Sequence, residues 1–321
     1  MKLRLLPIAL SIGALGLVLS LGQCKKAEAT APQRVPYLPI SAEHADSFSG
    51  ANAHDHVAKI VAFGPRPPQS EGYEKTLKYL ESTLDSFGWK TTRQTFRAAT
   101  PDGPVDFTNL LARHPSAPDR PNSTPVIIGG HIDSKKLSFP FVGANDGGSS
   151  TGVMLEIARI LSSDHPAAAQ VELAFFDGEE AFRPGITPSD GLYGSKFFAH
   201  ELGTRPNWPA IGIVLDIVGD PDFRTFHNPE APTSFGNLVD EIAGKLEFAK
   251  PVVKAPGPII DDHVPLQNTG LPCLHLIGDF TTMDYWHQPG DTLDKIDPGM
   301  LEKVGKLTLR FLSEVQPPSE N

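Results

Sequence analysis

Hydrophobic positions along this chain recur with two different periods, and the alternation between the two outlines an architecture. Over residues 73–87, Leu77, Leu80, Leu84 and Phe87 fall three or four apart, and over 151–161 Val153, Met154, Ile157 and Leu161 do the same. That spacing gathers apolar side chains on one side of a helix. Residues 298–315 repeat it with Leu301, Val304, Leu307 and Phe311, opening on a proline, which a first helical turn tolerates. Between these segments lie short apolar runs at 126–128, 171–176, 211–215 and 274–277, as expected of strands buried on both faces. Strand-like and helical segments alternate, so we expect an α/β fold with a largely parallel or mixed sheet covered by helices.

The amino terminus breaks this pattern. Met1-Lys2-Leu3-Arg4 is basic and residues 5–21 are apolar, the layout of an export signal. We read 1–23 as that signal, 24–45 as a flexible tether, and 46–321 as one catalytic domain. Cys24 follows Leu21-Gly22-Gln23, which resembles a bacterial lipoprotein box except that Gln23 stands where a small residue is usual. A lipid anchor through Cys24 is therefore one expectation, and ordinary cleavage after Ala27-Glu28-Ala29 the other. Either places the protein outside the cytoplasm, in the periplasm or on a membrane of a bacterium. The other cysteine, Cys273, sits before an apolar run and reads as a small buried hydrophobe. A net charge of −10 repels phosphate backbones, so nucleic acid is not an expected partner.

Candidate chemistry collects where the strands end, the usual place for ligand sites in open α/β sheets. His131 and Asp133 follow the first run, and a carboxylate two residues from a histidine orients a metal-binding imidazole or caps a strand. Asp177-Gly178-Glu179-Glu180 follows the second run, and Asp216 ends the third. Adjacent buried carboxylates are costly without a cation, so Glu179 and Glu180 suit a division of labour between metal ligand and general base. Asp146 lies in a stretch of small residues, Gly143-Ala144-Asn145-Asp146-Gly147-Gly148, immediately before a helix, where an acid serves as metal ligand or N-cap. Asp261-Asp262-His263 and Trp286-His287-Gln288-Pro289-Gly290-Asp291 add further polar clusters. Acid oxygens and histidine nitrogens together suit zinc better than magnesium. Phosphate loops, dinucleotide fingerprints and serine nucleophile elbows are absent from suitable strand-helix settings.

Taken together, these motifs resemble the zinc-dependent aminopeptidase-like group, which includes di-zinc exopeptidases and animal-type glutaminyl cyclases. The similarity starts near Ala62-Phe63-Gly64-Pro65-Arg66 and runs to the carboxyl terminus. Strings closer to the cyclase branch are His131-Ile132-Asp133-Ser134-Lys135, Phe175-Phe176-Asp177-Gly178-Glu179-Glu180-Ala181-Phe182, Leu192-Tyr193-Gly194-Ser195, Asp261-Asp262-His263-Val264-Pro265 and Leu274-His275-Leu276-Ile277. The resemblance implies a three-layer α/β/α fold and a single zinc ion held by Asp146, Glu180 and His287. It further implies that Glu179 shuttles a proton while Asp216 and Asp261 form an acid network positioning the substrate. The implied reaction turns the N-terminal glutamine of a peptide or protein into pyroglutamate through a zinc-polarised γ-carbonyl, releasing ammonia. Trp286 would wall the substrate pocket, and His131, Asp133, His275 and Asp291 would serve a second metal or support the ligands. One departure stands out: after Phe182 the chain reads Arg183-Pro184-Gly185-Ile186-Thr187-Pro188, lacking the tryptophan that animal cyclases carry there.

Two other readings are open. In a di-zinc aminopeptidase His131, Asp146, Glu180, Asp216 and His287 would hold two ions, with Glu179 activating water to cut a peptide bond; Asp261 has no part in that scheme. A non-catalytic binding module is the third, although the full ligand set and Glu179 are retained. His44, His54, His56, His114, His165, His200 and His227 lie outside the strand-end motifs and read as surface or structural.

Overall fold

A computed structural model describes residues 33–318. The expected export signal at 1–23 and Cys24 lie outside the described residues. Helices begin with α1 (Glu43–Asp46), α2 (Gly50–Val61) and α3 (Glu71–Ser86), followed by strands β1 (Lys90–Thr100), β2 (Gly103–Arg113) and β3 (Val126–His131). Then come α4 (Ser150–Leu161), α5 (His165–Ala168), β4 (Val171–Phe176), α6 (Tyr193–Leu202), β5 (Ile211–Asp216) and β6 (Thr225–His227). The chain closes with α7 (Thr233–Leu246), β7 (Val252–Lys254), α8 (His263–Asn268), β8 (Cys273–Gly278) and α9 (Pro298–Glu314).

The strands form one eight-stranded sheet in the order β1-β2-β4-β3-β5-β8-β6-β7. Its centre, β4-β3-β5-β8, is parallel, while β1, β2 and the β6–β8 pairing are antiparallel. The apolar runs mark the central strands because both of their faces are buried. Val126 and Ile128 of β3, Leu173 of β4 and Ile213 of β5 pack with Val57, Leu77, Val153, Val239 and Leu301 of α2, α3, α4, α7 and α9. The intervening Ile127, Ala174 and Val214 pack with Phe198 and Leu202 of α6 and Leu266 of α8 on the opposite face. Helices therefore cover both faces of the sheet. Local chemistry sets where they start: the side chains of Ser49, Ser70 and Asp297 accept from Asn52, Tyr73 and Met300 N–H, relieving donors that a first turn cannot satisfy. Cys273 is buried against α6 and α8. No helix among the described residues is long and apolar enough to cross a membrane.

The expected tether is too long. Residues 33–45 are fastened to the domain: Arg34 bridges to Trp208, the Tyr37 hydroxyl donates to the Leu312 carbonyl, and Leu38 exchanges hydrogen bonds with the Gln170 side chain. These anchors are isolated backbone and side-chain contacts without periodicity, so the composition of the segment concealed them.

Glu172 on β4, the one charge in that strand, is fully buried and meets Arg113 at 2.7 Å, Arg205 at 2.8 Å and Arg120. Burial opposes its charge, but the three guanidinium groups outweigh it and hold the carboxyl down at about 2. Removing one member of a buried ionic cluster leaves uncompensated charge and costs about 3–5 kcal/mol. Glu172→Gln is expected to lower the thermal midpoint by roughly 10 °C, measured by calorimetry; a change under about 2 °C would mean that the cluster is indifferent to its carboxylate.

Candidate metal centre and active site

The site is assembled at the carboxyl ends of β3, β4 and β5 and on three loops that reach over them. His131 is the last residue of β3 and Asp216 the last of β5. After β4 the chain turns sharply. Asp177 accepts from Thr108 N–H at 2.7 Å, and Gly178 has φ +67° with its missing Cβ only 2.4 Å from the Phe107 ring. A side chain at 178 would push the turn off β2. Asp133 then accepts from the backbone N–H of Glu179 and Glu180, at 3.2 and 3.3 Å. Its contact with His131 is longer, 3.5 Å from Nδ1, because the strand ends at 131 and Asp133 has left the ladder. Its main work is to hold the Glu179–Glu180 backbone.

Asp146 stands in a kink before α4. Its own backbone is extended, and the next residue, Gly147, has φ +77° with its absent Cβ 2.9 Å from the His131 ring. Asp291 fixes this kink, its two oxygens accepting from Asn145 N–H at 2.7 Å and Asp146 N–H at 3.1 Å. Arg66, fully buried, ties the same loop to the sheet: Nε donates to the Ile132 carbonyl at 2.9 Å, and the two Nη atoms donate to the carbonyls of Val142 and Gly143. His287 enters from the loop after β8 at φ +53°, an uncommon backbone state for a histidine. Its ring stacks on Trp286 at 4.1 Å and meets Phe141 edge-on.

These constraints converge. His287 Nε2 lies 3.3 Å from Asp146 Oδ2 and 3.2 Å from Glu180 Oε1. The other Glu180 oxygen accepts from Lys135 Nζ at 3.1 Å, and Lys135 also donates to the Ala181 carbonyl. On the far side of Asp146, His131 Nε2 is 3.1 Å from both Asp146 Oδ1 and Asp216 Oδ1. Asp146, Glu180 and His287 thus form one group able to hold a metal ion, and His131, Asp146 and Asp216 form a second that shares Asp146. The first group presents one imidazole nitrogen and two carboxylates, the donor set of a zinc site. Asp146 Oδ2 is buried and makes no well-formed hydrogen bond, its neighbour being the His287 nitrogen at 3.3 Å, and a cation between the two would complete it.

Charge in the site is poised for a cation. Burial works against a charged His287, yet the carboxylates of Asp146 and Glu180 push it up to about 10. Burial likewise works against the Asp146 charge, and the imidazoles of His131 and His287 overcome it, keeping Asp146 below the usual carboxylate range. Glu179 goes the other way: burial first, then the charges of Glu180, Asp261 and Asp262, raise it well above that range against the opposing His131. Asp216 is raised to about 6, chiefly by burial. Asp261 is held at about 2 because His275, whose Nε2 is 2.7 Å from its Oδ2, outweighs burial.

Asp146, Glu179, Glu180, Asp216, Asp261, Trp286 and His287 all line one cavity of about 620 Å³. His131, Asp133, His275 and Asp291 stand behind that lining, each in contact with one of its members. Sequence reasoning gave no role to Arg66, Lys135, His263 or Arg224. The His263 ring stacks on His275 at 4.1 Å, a contact that the Asp261-Asp262-His263 cluster did not reveal. Lys135 closes the run His131-Ile132-Asp133-Ser134-Lys135, and its position four residues after His131 was the one available signal.

The geometry is that of an α/β domain carrying a candidate metal-ligand cluster where its strands end. The chain belongs to peptidase family M28, whose model matches residues 109–312. Among its relatives, the glutaminyl-peptide cyclotransferase-like protein of Mus musculus is 31% identical over 284 residues, covering 78% of this chain and 72% of the relative. Among solved structures, Porphyromonas gingivalis glutaminyl cyclase superposes with a TM-score of 0.75 at 28% identity, covering 83% of this chain and 98% of the other. A Zn-dependent exopeptidase from Parabacteroides distasonis gives 0.74 at 28% identity, covering 84% and 99%.

Proposed function

We propose that the chain is a glutaminyl-peptide cyclotransferase, converting the N-terminal glutamine of peptides or proteins to pyroglutamate with release of ammonia. Relatives of that name in sequence and structure support the reading. The observation that carries it within the site is Asp261, a carboxylate kept ionised by His275 that lines the cavity together with Glu179 and Asp216. The five-ligand hydrolytic scheme leaves that acid unexplained, whereas a cyclase must fold the substrate's α-amine back onto its own side chain.

Asp146, Glu180 and His287 would hold one zinc ion, which when bound supplies a Lewis acid for the glutamine γ-carbonyl. Asp216 and Asp261 bind and orient the α-amine, replacing a random encounter with a held geometry. As the amine nitrogen bonds to the γ-carbonyl carbon, Glu179 accepts its proton and then delivers it to the amide nitrogen, which leaves as ammonia. Trp286 walls the pocket and keeps His287 in place by stacking. Ammonia release from a Gln-initiated peptide by zinc-loaded protein, lost after chelation, is the expected result; no ammonia under either condition contradicts the proposal.

The zinc site has its own signature. Without metal His287 carries a proton up to about pH 10, and a ligand imidazole must lose it. Zinc binding therefore releases a proton, and apparent affinity rises about tenfold per unit between pH 6 and 8. Competition against a chromophoric chelator measures this, and a flat profile would mean that the His287 imidazole is already neutral in the metal-free site.

A di-zinc aminopeptidase is the second reading, favoured by the His131, Asp146 and Asp216 group. Two zinc ions per chain and shortening of a Leu-initiated peptide would select it. We further propose that residues 1–23 direct export and that the protein works in the periplasm or on a membrane, a reading supported by its basic and then apolar amino terminus.

A further inference from the structure

The cavity extends past the side chains that would handle a glutamine. Strands β5, β8 and β6 lie side by side, with Asp216, Ile277 and Phe226 in register across them. All three line the cavity. Arg224 is two residues before Phe226, so its side chain emerges on the same side, and it forms part of the exposed rim of the lining. Neighbouring strands are about 4.8 Å apart, which sets β6 roughly 10 Å from β5. An extended peptide advances roughly 3.3 Å per residue. With its amine at Asp216, its second or third residue passes Arg224.

The chemistry of the wall is lopsided. Glu179, Asp216, Asp261 and Asp279 line it, in a chain of net charge −10. Of its cationic side chains, Lys135 is committed to Glu180 and the Ala181 carbonyl, and His287 lies between Asp146 and Glu180. Arg224 makes one long ion pair, 3.5 Å from Nε to Asp279 Oδ2. Asp279 in turn accepts from the Thr281 hydroxyl. A guanidinium engaged at one edge still offers its fork to a carboxylate.

We propose that Arg224 is a specificity residue that recognises a carboxylate one or two residues beyond the N-terminal glutamine. This rests on the cyclase reading above. The carboxylate is either an acidic side chain or the carboxyl end of a short peptide.

The test compares kcat/KM for the amidated peptides Gln-Glu-Ala, Gln-Gln-Ala and Gln-Lys-Ala, and for Gln-Ala as free acid and as amide. It uses the zinc-loaded wild type, Arg224→Gln and Arg224→Glu. Ratios within one preparation cancel any difference in folded fraction. We expect the wild type to favour Glu over Lys by about tenfold at low salt, shrinking as salt screens the rim. Arg224→Gln should flatten the ratio and Arg224→Glu invert it. A free-acid preference for Gln-Ala that disappears in both variants, without a Glu preference in the tripeptides, assigns the chain end as the carboxylate. Cyclisation of Gln-Gln-Ala with every charge ratio unmoved by the substitutions overturns the Arg224 assignment alone. Failure of the wild type to cyclise any of these peptides overturns the cyclase reading and this inference with it.

Discussion

Replacing Glu179 with Gln is expected to lower kcat by about 100- to 10,000-fold, the usual contribution of a positioned general base, while zinc content stays at the wild-type level. The two halves of that result come from different atoms. Glu179 shares a turn with Glu180, and Asp133 holds both backbone N–H groups, so an isosteric amide leaves the turn in place. The Glu180 carboxylate faces His287 and Lys135, whereas Glu179 faces the cavity with no ion pair of its own among the described residues. A proton carrier needs this setting: burial and neighbouring acids raise its proton affinity, so it can take a proton from an amine and give it up again within one turnover. Steady-state kinetics together with metal analysis decide the matter. Retained kcat would remove Glu179 from the mechanism, and lost zinc would make it a ligand.

His287→Ala should abolish activity by a different route, through the metal. It removes the one nitrogen donor of the Asp146, Glu180 and His287 group and leaves two carboxylates facing each other. Residues that only support ligands cost about 10- to 100-fold in metal affinity when changed, and a ligand itself costs more. Asp291→Asn supplies the internal comparison, since the Asp291 carboxylate accepts from the backbone N–H groups of Asn145 and Asp146 and belongs to neither candidate metal group. Zinc titration should therefore rank wild type above Asp291→Asn above His287→Ala. Equal affinities for His287→Ala and wild type would move the metal to the His131, Asp146 and Asp216 group.

Much of this centre was legible in the sequence because of how parallel strands are buried. A strand covered on both faces must be apolar throughout, so β3, β4, β5 and β8 announce themselves, and any acid at their carboxyl ends stands out. The β1–β2 hairpin was not anticipated, since one side of β1 faces solvent and its Thr, Arg and Gln residues dilute the signal. Helix α7 was passed over as well, its apolar positions lying between strands too short to frame it. Arg66 was illegible for another reason: a buried arginine that serves three carbonyls looks, in sequence, like any surface arginine. Arg224 likewise acquires meaning only from what tertiary folding sets beside it, and the stacking of His263 on His275 is a tertiary contact too. The candidate ligand residues escaped that problem because desolvated carboxylates carry a cost that only a cation or a proton can offset.

The most direct measurement is the mass spectrum of a mixture of one Gln-initiated and one Leu-initiated peptide after incubation with the zinc-loaded protein. The Gln peptide is expected to lose the mass of one ammonia with its length intact, while the Leu peptide stays unchanged. A Leu peptide shortened by one residue beside an unaltered Gln terminus would contradict the cyclase and make the chain an aminopeptidase.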